Sequence, residues 1–422
     1  MAQSVKGTRD LFGNELRWFQ HIERTTRRAF SRHGYTEIRT PILEDISIFQ
    51  RSIGESSDII HKEMYDFIDK GGRHITMRPE NTAGVVRAVI QHNLLANNDP
   101  QLFYYMGPMF RYERMQAGRF RQFWQIGTES IAVASPESEA ESMIMLYDLL
   151  QELGLDQLKF SINSVGNPET RLAFHTAFRV FFETNKNRFC RECNRRINEN
   201  PMRVLDCKVP TCQKALNGHP SILGYLDAPS RKHHERITEL LTDLKLPFEE
   251  NPRLVRGLDY YTHTVFEVIS NNLGSQSAIL GGGRYDGLVQ QLGGPSVPSF
   301  GWSIGLDRLA ILLQQKYGNT TPNSPILLIP LGNNAATLAL IMARDWWKQG
   351  LAIRLDTRGF NLKKALATAN RLGSQIALIL GDSEIEHGTI SIKHLNTGQQ
   401  ETWDIREVTT KLRNICDEFD SR

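Results

Sequence analysis

Residues 102–129 hold two strand-forming runs joined by a loop too charged to be buried. Leu102-Phe103-Tyr104-Tyr105-Met106 and Phe123-Trp124-Gln125-Ile126 are rich in aromatic and apolar residues, while 111–121 between them carries Arg111, Arg114, Arg119 and Arg121 with a single acid, Glu113. Strands this close in sequence pair antiparallel. That favours an α+β architecture built on hairpins over alternating βαβ units. Alternation along the strands places Arg111 and Glu113 on one face, with Gln125 and Glu129 facing back from the partner strand. A guanidinium is always charged and presents a planar fork to phosphate oxygens. Phe123 offers a π-face to a purine. The alternative is an exposed hairpin with solvated arginines, the common fate of a charge run.

Around this hairpin the 422 residues divide by their patterning. Leu16, Phe19, Ile22, Thr26 and Phe30 predict an amphipathic helix over 14–33, stopped by Gly34. The extended segment that follows ends at Pro41, which belongs at a strand edge or bend. Helices are expected over 83–96 and 137–153. Residues 168–253 are helix-rich and hold four of the five cysteines. They also carry 15 Lys and Arg against 11 Asp and Glu, with the whole excess in 188–214. Either this is a solvated helical insert or a surface that meets a phosphate backbone. Residues 254–318 return to strands and glycine. A linker over 319–325 precedes strand–helix–strand–helix–strand grammar and a final helix at 406–419. The expected organisation is therefore a catalytic region in two parts, 1–167 and 254–318, interrupted by 168–253 and followed by a small α/β domain at 326–422.

Composition excludes several classes. With 40% apolar and 23% charged residues and a net charge of +3, the chain is neither disordered nor histone-like. No apolar run nears the ~20 residues that span a bilayer, and the N-terminus has no hydrophobic core of a secretory signal. An odd number of cysteines in a long chain points to a reducing compartment, the cytoplasm. No P-loop motif is present, nor a G-x-G-x-x-G after a strand. Gly301-Trp302-Ser303-Ile304-Gly305 fits the hydrolase G-x-S-x-G, but an oxyanion-type HGGG segment is missing and the downstream His387 and His394 fall in the small domain.

A second constellation favours phosphate chemistry. Phe300 to Leu309 runs from a glycine-rich strand into an apolar helix, with Arg308 in the first turn, where free N–H groups already favour an anion. Taken together, Phe110-Arg111-x-Glu113 with Arg119 and Phe123 resembles motif 2 of class II aminoacyl-tRNA synthetases. Gly305-Leu306-Asp307-Arg308 resembles motif 3, and helix 14–33 with the strand ending at Pro41 resembles motif 1. Arg256-Gly257-Leu258-Asp259-Tyr260-Tyr261-Thr262 and Leu280-Gly281-Gly282-Gly283-Arg284-Tyr285-Asp286 are similar to two signature peptides of histidyl-tRNA synthetases of bacterial type. Lys6-Gly7-Thr8-Arg9-Asp10 and Arg78-Pro79-Glu80-Asn81-Thr82 match them as well.

The resemblance implies the class II antiparallel catalytic fold and an anticodon-binding domain. It also implies a two-step reaction in which histidine is activated by ATP to histidyl-adenylate and then passed to the 3′ end of tRNA(His). Arg111 and Arg256 would contact the α-phosphate. Arg308 would stack on adenine opposite Phe123 and reach the γ-phosphate, and Glu113 would read the adenine amino group. Arg256 stands where other class II enzymes place a metal ion, so no protein-held catalytic metal is expected; Mg²⁺ would bind with the outer phosphates. Glu80, Thr82 and Gln125 would hold the α-ammonium, and Glu129 with Tyr261 the two imidazole nitrogens of the substrate ring, beside Tyr260 and under Tyr285. Arg114, Gln116, Arg119 and Arg121 would face the tRNA acceptor end, and Phe360, Lys363 and Lys364 would contact RNA in the last domain. The composition of that domain is nearly neutral, with twelve basic and eleven acidic residues over 324–422. The implied partners are tRNA, histidine, ATP and a second copy of the chain, with neither DNA nor membrane. Cys190-x₂-Cys193-x₁₃-Cys207-x₄-Cys212 is close to structural zinc spacing, the alternative being four reduced thiols. Cys416 is expected to be a buried apolar residue of the last helix. The rival readings are a non-catalytic regulator of histidine biosynthesis, which typically lacks the last domain and some phosphate arginines, and an RNA-binding module on the same fold.

Overall fold

The computed structural model describes residues 2–53, 59–97, 99–115, 118–270, 278–318, 326–358 and 361–420, without the side chains of 59, 61, 270 and 416–420. Contacts divide the chain into two units, Met1–Gly318 and Asn319–Arg422. In chain order the strands are β1 (Thr36–Glu37), β2 (Leu43–Asp45), β3 (Tyr65–Ile68), β4 (His74–Met77), β5 (Gln101–Phe110), β6 (Gln122–Ile131), β7 (Leu158–Ser164), β8 (Phe248–Glu250), β9 (Thr262–Ser270), β10 (Ala278–Arg284) and β11 (Ser299–Gly305) in the first unit. The second unit holds β12 (Ile326–Leu331), β13 (Ile353–Leu355), β14 (Ile376–Gly381), β15 (Thr389–His394) and β16 (Gln400–Asp404).

An eight-stranded sheet, ordered β1-β5-β6-β11-β10-β9-β7-β8, organises the first unit. Its interior pairs are antiparallel, and a short parallel strand closes each edge. Strand β8 lies within the helix-rich region 168–253, so that region adds an edge to the main sheet. The α+β expectation holds, and the G-x-S-x-G segment lies inside β11, where Ser303 pairs regularly with Gly127 and Gly281. A nucleophile elbow instead needs a sharp strand-to-helix turn at the serine.

One face of this sheet is apolar. Ile126, Trp302, Ile304, Leu280, Phe266 and Val268 pack against the helix Gly13–Arg32, whose buried stripe is Trp18, Phe19, Ile22 and Phe30, and against Pro136–Glu152. The other face carries the alternate residues Gln125, Gly127 and Glu129 of β6, Gly301, Ser303 and Gly305 of β11, and Gly281 and Gly283 of β10. A buried ion pair bolts the far end of the sheet. Arg284 (2% exposed) donates to Glu139 (0%) at 2.5 Å and to the carbonyls of Val133 and Ala134, and Glu139 also receives His233 Nε2 at 2.8 Å.

The second unit is a five-stranded sheet, β13-β12-β14-β15-β16, parallel in its first three strands and antiparallel in its last two. Ala335, Ala339, Ala343 and Trp346 of the helix Asn333–Lys348 cover one face, and Ala365 and Ala369 of Leu362–Arg371 the other. Lys363 and Lys364 are exposed on that last helix; Phe360 and the segment 319–325 lie outside the described residues, as does the Cys416 side chain.

Removing one member of a buried ion pair strands its partner's charge, which costs about 3–5 kcal/mol. Arg284 would keep Asp286, to which its Nη1 donates at 3.1 Å, so Glu139→Ala is expected to lower the unfolding free energy of the first unit by about 3 kcal/mol, the low end of that range. Urea denaturation followed by tryptophan fluorescence measures it, and a loss under about 1 kcal/mol would remove Arg284–Glu139 from the interactions that hold the sheet.

Candidate active site

The polar face of the sheet is the floor of a cleft of about 360 Å³. The helix Thr82–Gln91 builds its inner end. The first N–H groups of a helix have no partner within it and form its positive end. Here the Glu80 carboxylate supplies the acceptor, taking Thr82 N–H at 2.6 Å and Ala83 N–H at 3.1 Å. The Thr82 hydroxyl donates in turn to Glu129 Oε1 at 2.7 Å, and Tyr285 O–H donates to the other Glu129 oxygen. Burial raises the Glu80 carboxyl above its ordinary range, while the helix N–H bonds pull it back. Glu129, only 1% exposed, is pushed up to about 8 by burial; the bonds from Tyr285 and Thr82 oppose the shift and the nearby Glu80 adds to it. Tyr260 packs on Tyr261 and Tyr285 at ring distances of 4.7 and 5.7 Å, and burial keeps Tyr260 and Tyr285 protonated far into alkaline pH.

Arginines line the remainder. Arg111 is aimed by its Nε donating to the Pro79 carbonyl at 2.7 Å, and it lies 5.3 Å from the Phe123 ring centre. Glu113 stands between Arg111 (3.7 Å) and Arg119 (3.5 Å). Arg256 is paired with Glu267, and its buried Nε has no acceptor among the described residues. Burial and the neighbouring Arg119 both disfavour the charge on Arg308. Like charges confined together are relieved by a polyanion. Glycine provides the room: a Cβ at Gly281 would run into the Arg256 guanidinium, and one at Gly301 into the Glu129 carboxylate.

Glu80, Thr82, Arg111, Glu113, Arg119, Phe123, Gln125, Arg256, Tyr260, Tyr261, Tyr285 and Arg308 all line this one cleft, although they span more than half the chain. Glu129 lies just beneath, reached through Thr82 and Tyr285. Strand β5 ends at Phe110, so Arg111 and Glu113 stand in the loop beyond it and not on the strand. Arg114 is exposed, and Gln116 lies outside the described residues. Arg121 differs from its sequence-based expectation: its stem packs under Gly7 and its guanidinium lies 3.5 Å over the Tyr112 ring, which builds the loop's base. Sequence reasoning missed Asp307, 3% exposed, whose carboxylate takes Trp124 N–H at 2.6 Å and Arg9 at 2.7 Å. It also missed Ser303, which accepts from Gln125 Nε2 at 2.9 Å, and Glu267. The only signal was the presence of Arg9 and Asp307 inside matched peptides.

Comparisons decide the family. The histidyl-tRNA synthetase family model matches residues 7–169 and 212–309, and an anticodon-binding domain model matches 326–415. The chain belongs to the histidyl-tRNA synthetase family. A histidine–tRNA ligase of Gloeothece citriformis is 44% identical over 99% of this chain and 97% of its own length. That of Rippkaea orientalis is 44% identical over 98% and 96%. The solved apo S. aureus histidyl-tRNA synthetase superposes with a TM-score of 0.81 at 34% identity, covering 98% of this chain and all of that one. The class II fold, the hairpin motif and the two signature peptides inferred from sequence agree with these matches.

The raised Glu129 carboxyl binds a proton more tightly in the folded protein than in the unfolded chain. From the ordinary carboxylate range up to about 8, rising pH therefore costs stability at this position. Glu129→Gln should escape that cost: relative to the wild type it gains stability at pH 9 compared with pH 5. Thermal melts at the two pH values test this, and equal differences would show that Glu129 is not held protonated.

Proposed function

We propose that the chain is a histidine–tRNA ligase that performs both of its steps in this cleft. The observation that carries the reading is the separation of charge along one sheet face, carboxylates buried at the inner end and arginines toward the mouth. A zwitterionic amino acid with an imidazole fits the first, a nucleoside triphosphate the second, and Arg256 lies where they would meet. In the first step a histidine carboxylate oxygen attacks the α-phosphorus of ATP, the bond to the bridging oxygen breaks, and pyrophosphate leaves. In the second, the terminal ribose hydroxyl of tRNA(His) attacks the adenylate and AMP leaves.

Positioning and fixed positive charge supply the catalysis. Arg111 and Arg256 would flank the α-phosphate as its charge builds, and Arg308 would reach the γ-phosphate while the purine lies between it and Phe123. Glu113 would accept from the adenine amino group. Glu80, Thr82 and Gln125 would hold the α-ammonium. An imidazole offers one donor and one acceptor, and Glu129 with Tyr261 would satisfy both, with Tyr260 and Tyr285 walling the ring. Glu113 and Glu267 give the cleft oxygen donors suited to an Mg²⁺ ion arriving with the nucleotide, where it would neutralise the outer phosphates. Arg114 and Arg119, both exposed, would face the acceptor end, and exposed Lys363 and Lys364 of the second unit would contact the anticodon region. The regulator reading is disfavoured by the presence of Arg111, Arg256 and Arg308 together with a second unit matched by the anticodon-domain model. A homodimer is supported by apolar Leu43, Phe67 and Ile68, exposed on the three-stranded sheet β2-β4-β3. A cytoplasmic setting fits four cysteines that form no disulfide among the described residues, where also no helix is long and apolar enough to cross a membrane.

Amino-acid-dependent ATP–pyrophosphate exchange across the twenty amino acids tests this directly. Exchange is expected with histidine alone and is expected to fall about 10²–10³-fold in Arg256→Ala, as for the loss of a preorganised donor. Histidine binding without exchange would move the assignment to a regulator.

A further inference from the structure

We propose that Cys190, Cys193, Cys207 and Cys212 bind one zinc ion, and that the loop this ion closes clamps the peptide carrying Arg256 and Tyr260. The four sulfurs lie within 4.8 Å of one another, with Cys190 Sγ and Cys207 Sγ 3.9 Å apart. Zinc–sulfur bonds of about 2.3 Å in a tetrahedron separate the sulfurs by about 3.8 Å, so this is the spacing of a tetrathiolate shell. A disulfide would need about 2.05 Å. Two sulfurs already accept backbone N–H groups, Cys190 Sγ from Cys193 at 3.4 Å and Cys212 Sγ from Cys190 at 3.1 Å. Such bonds orient thiolate ligands and stabilise their charge. Seven basic residues against three acidic ones over 188–214 offset the negative charge of four thiolates around a divalent ion.

The segment also needs a staple. It is built from helices Arg191–Glu199, Met202–Leu205 and Pro210–Ala215, of nine, four and six residues, each too short to be stable alone. Between Cys193 and Cys207 the chain returns to the active-site peptide. Asn200 Nδ2 and Arg203 Nη2 both donate to Asp259 Oδ1, at 3.0 and 3.1 Å, and Arg203 also donates to the Gly257 carbonyl at 2.6 Å. Gly257 and Asp259 adjoin Arg256 and Tyr260, two residues of the cleft.

The metal half stands without the activity reading; the clamp rests on it. Elemental analysis of the full chain, purified without chelator under reducing conditions, is expected to give about one zinc per chain. A mercurial titration should release it, and cobalt in its place should give the intense visible bands of a tetrahedral tetrathiolate. Cys193→Ser and Cys212→Ser should lose the ion, and Cys416→Ser should keep it. Under about a tenth of an ion per chain, iron in place of zinc, or an intact mass showing a disulfide among the four would each overturn the site. Arg203→Ala keeps all four ligands, so it should retain zinc while its KM for histidine in exchange rises about tenfold. Retained zinc with an unchanged KM would overturn the clamp. Absence of exchange in the wild type would sink the activity reading and leave the metal result standing.

Discussion

Thr82 joins two carboxylates that would otherwise repel each other. Its backbone N–H donates to Glu80 and its hydroxyl to Glu129, so one residue at a helix N-terminus sets the electrostatics of the inner cleft. Two buried carboxylates are costly to keep close, and the two are stabilised differently. Burial raises both carboxyls, but the helix N–H groups pull Glu80 back, whereas the donors to Glu129 among the described residues are hydroxyls and burial pushes it up to about 8.

The sheet makes room for the cleft by omitting side chains. On β6, β11 and β10 the residues facing the cleft are largely glycine, while the opposite face of the same strands is filled by Trp302, Ile304, Leu280 and Phe266. Period-two alternation thus separates packing from chemistry on adjacent residues. Asp307 then ties the floor to the rest: one oxygen fixes the β6 backbone at Trp124, and the other holds Arg9, whose guanidinium also sits 3.5 Å over Phe120. The start of the chain is thereby fastened to the loop that bears Arg119.

Legibility in the sequence followed the range of the interaction. The hairpin, the helix beginning near residue 13 and the strand–helix grammar after 326 are local periodicities, and they could be read directly. Strand alternation placed Arg111 and Glu113 on a strand face, but β5 ends at Phe110 and both stand in the loop, where they meet Phe123 and Arg119 through loop geometry that no period encodes. Arg9 with Asp307, 298 residues apart, and Arg284 with Glu139, 145 apart, depend on strand order, which no local pattern encodes. Arg121 shows the opposite failure. Its composition matched that of its neighbours, but Gly7 and Tyr112 cover it, and only the chain's return from the N-terminus decides that. The nearly neutral second unit was legible as a fold and silent as a binder, since a few placed lysines do not alter a net charge.

Arginines of the cleft are already paired with carboxylates. Arg256 lies against Glu267, and Glu113 stands between Arg111 and Arg119. A guanidinium already held by a carboxylate keeps its orientation, so the pairs fix where these charges stand in the cleft. The pairing is also partial. Arg256 Nε and Gln125 Oε1 are buried without partners among the described residues, one a donor and the other an acceptor, at positions facing the same cleft. Buried polar groups left unpaired are costly, and in a binding site the cost is recovered by the ligand that pairs them. The floor is thus fixed by its paired atoms and made selective by its unpaired ones.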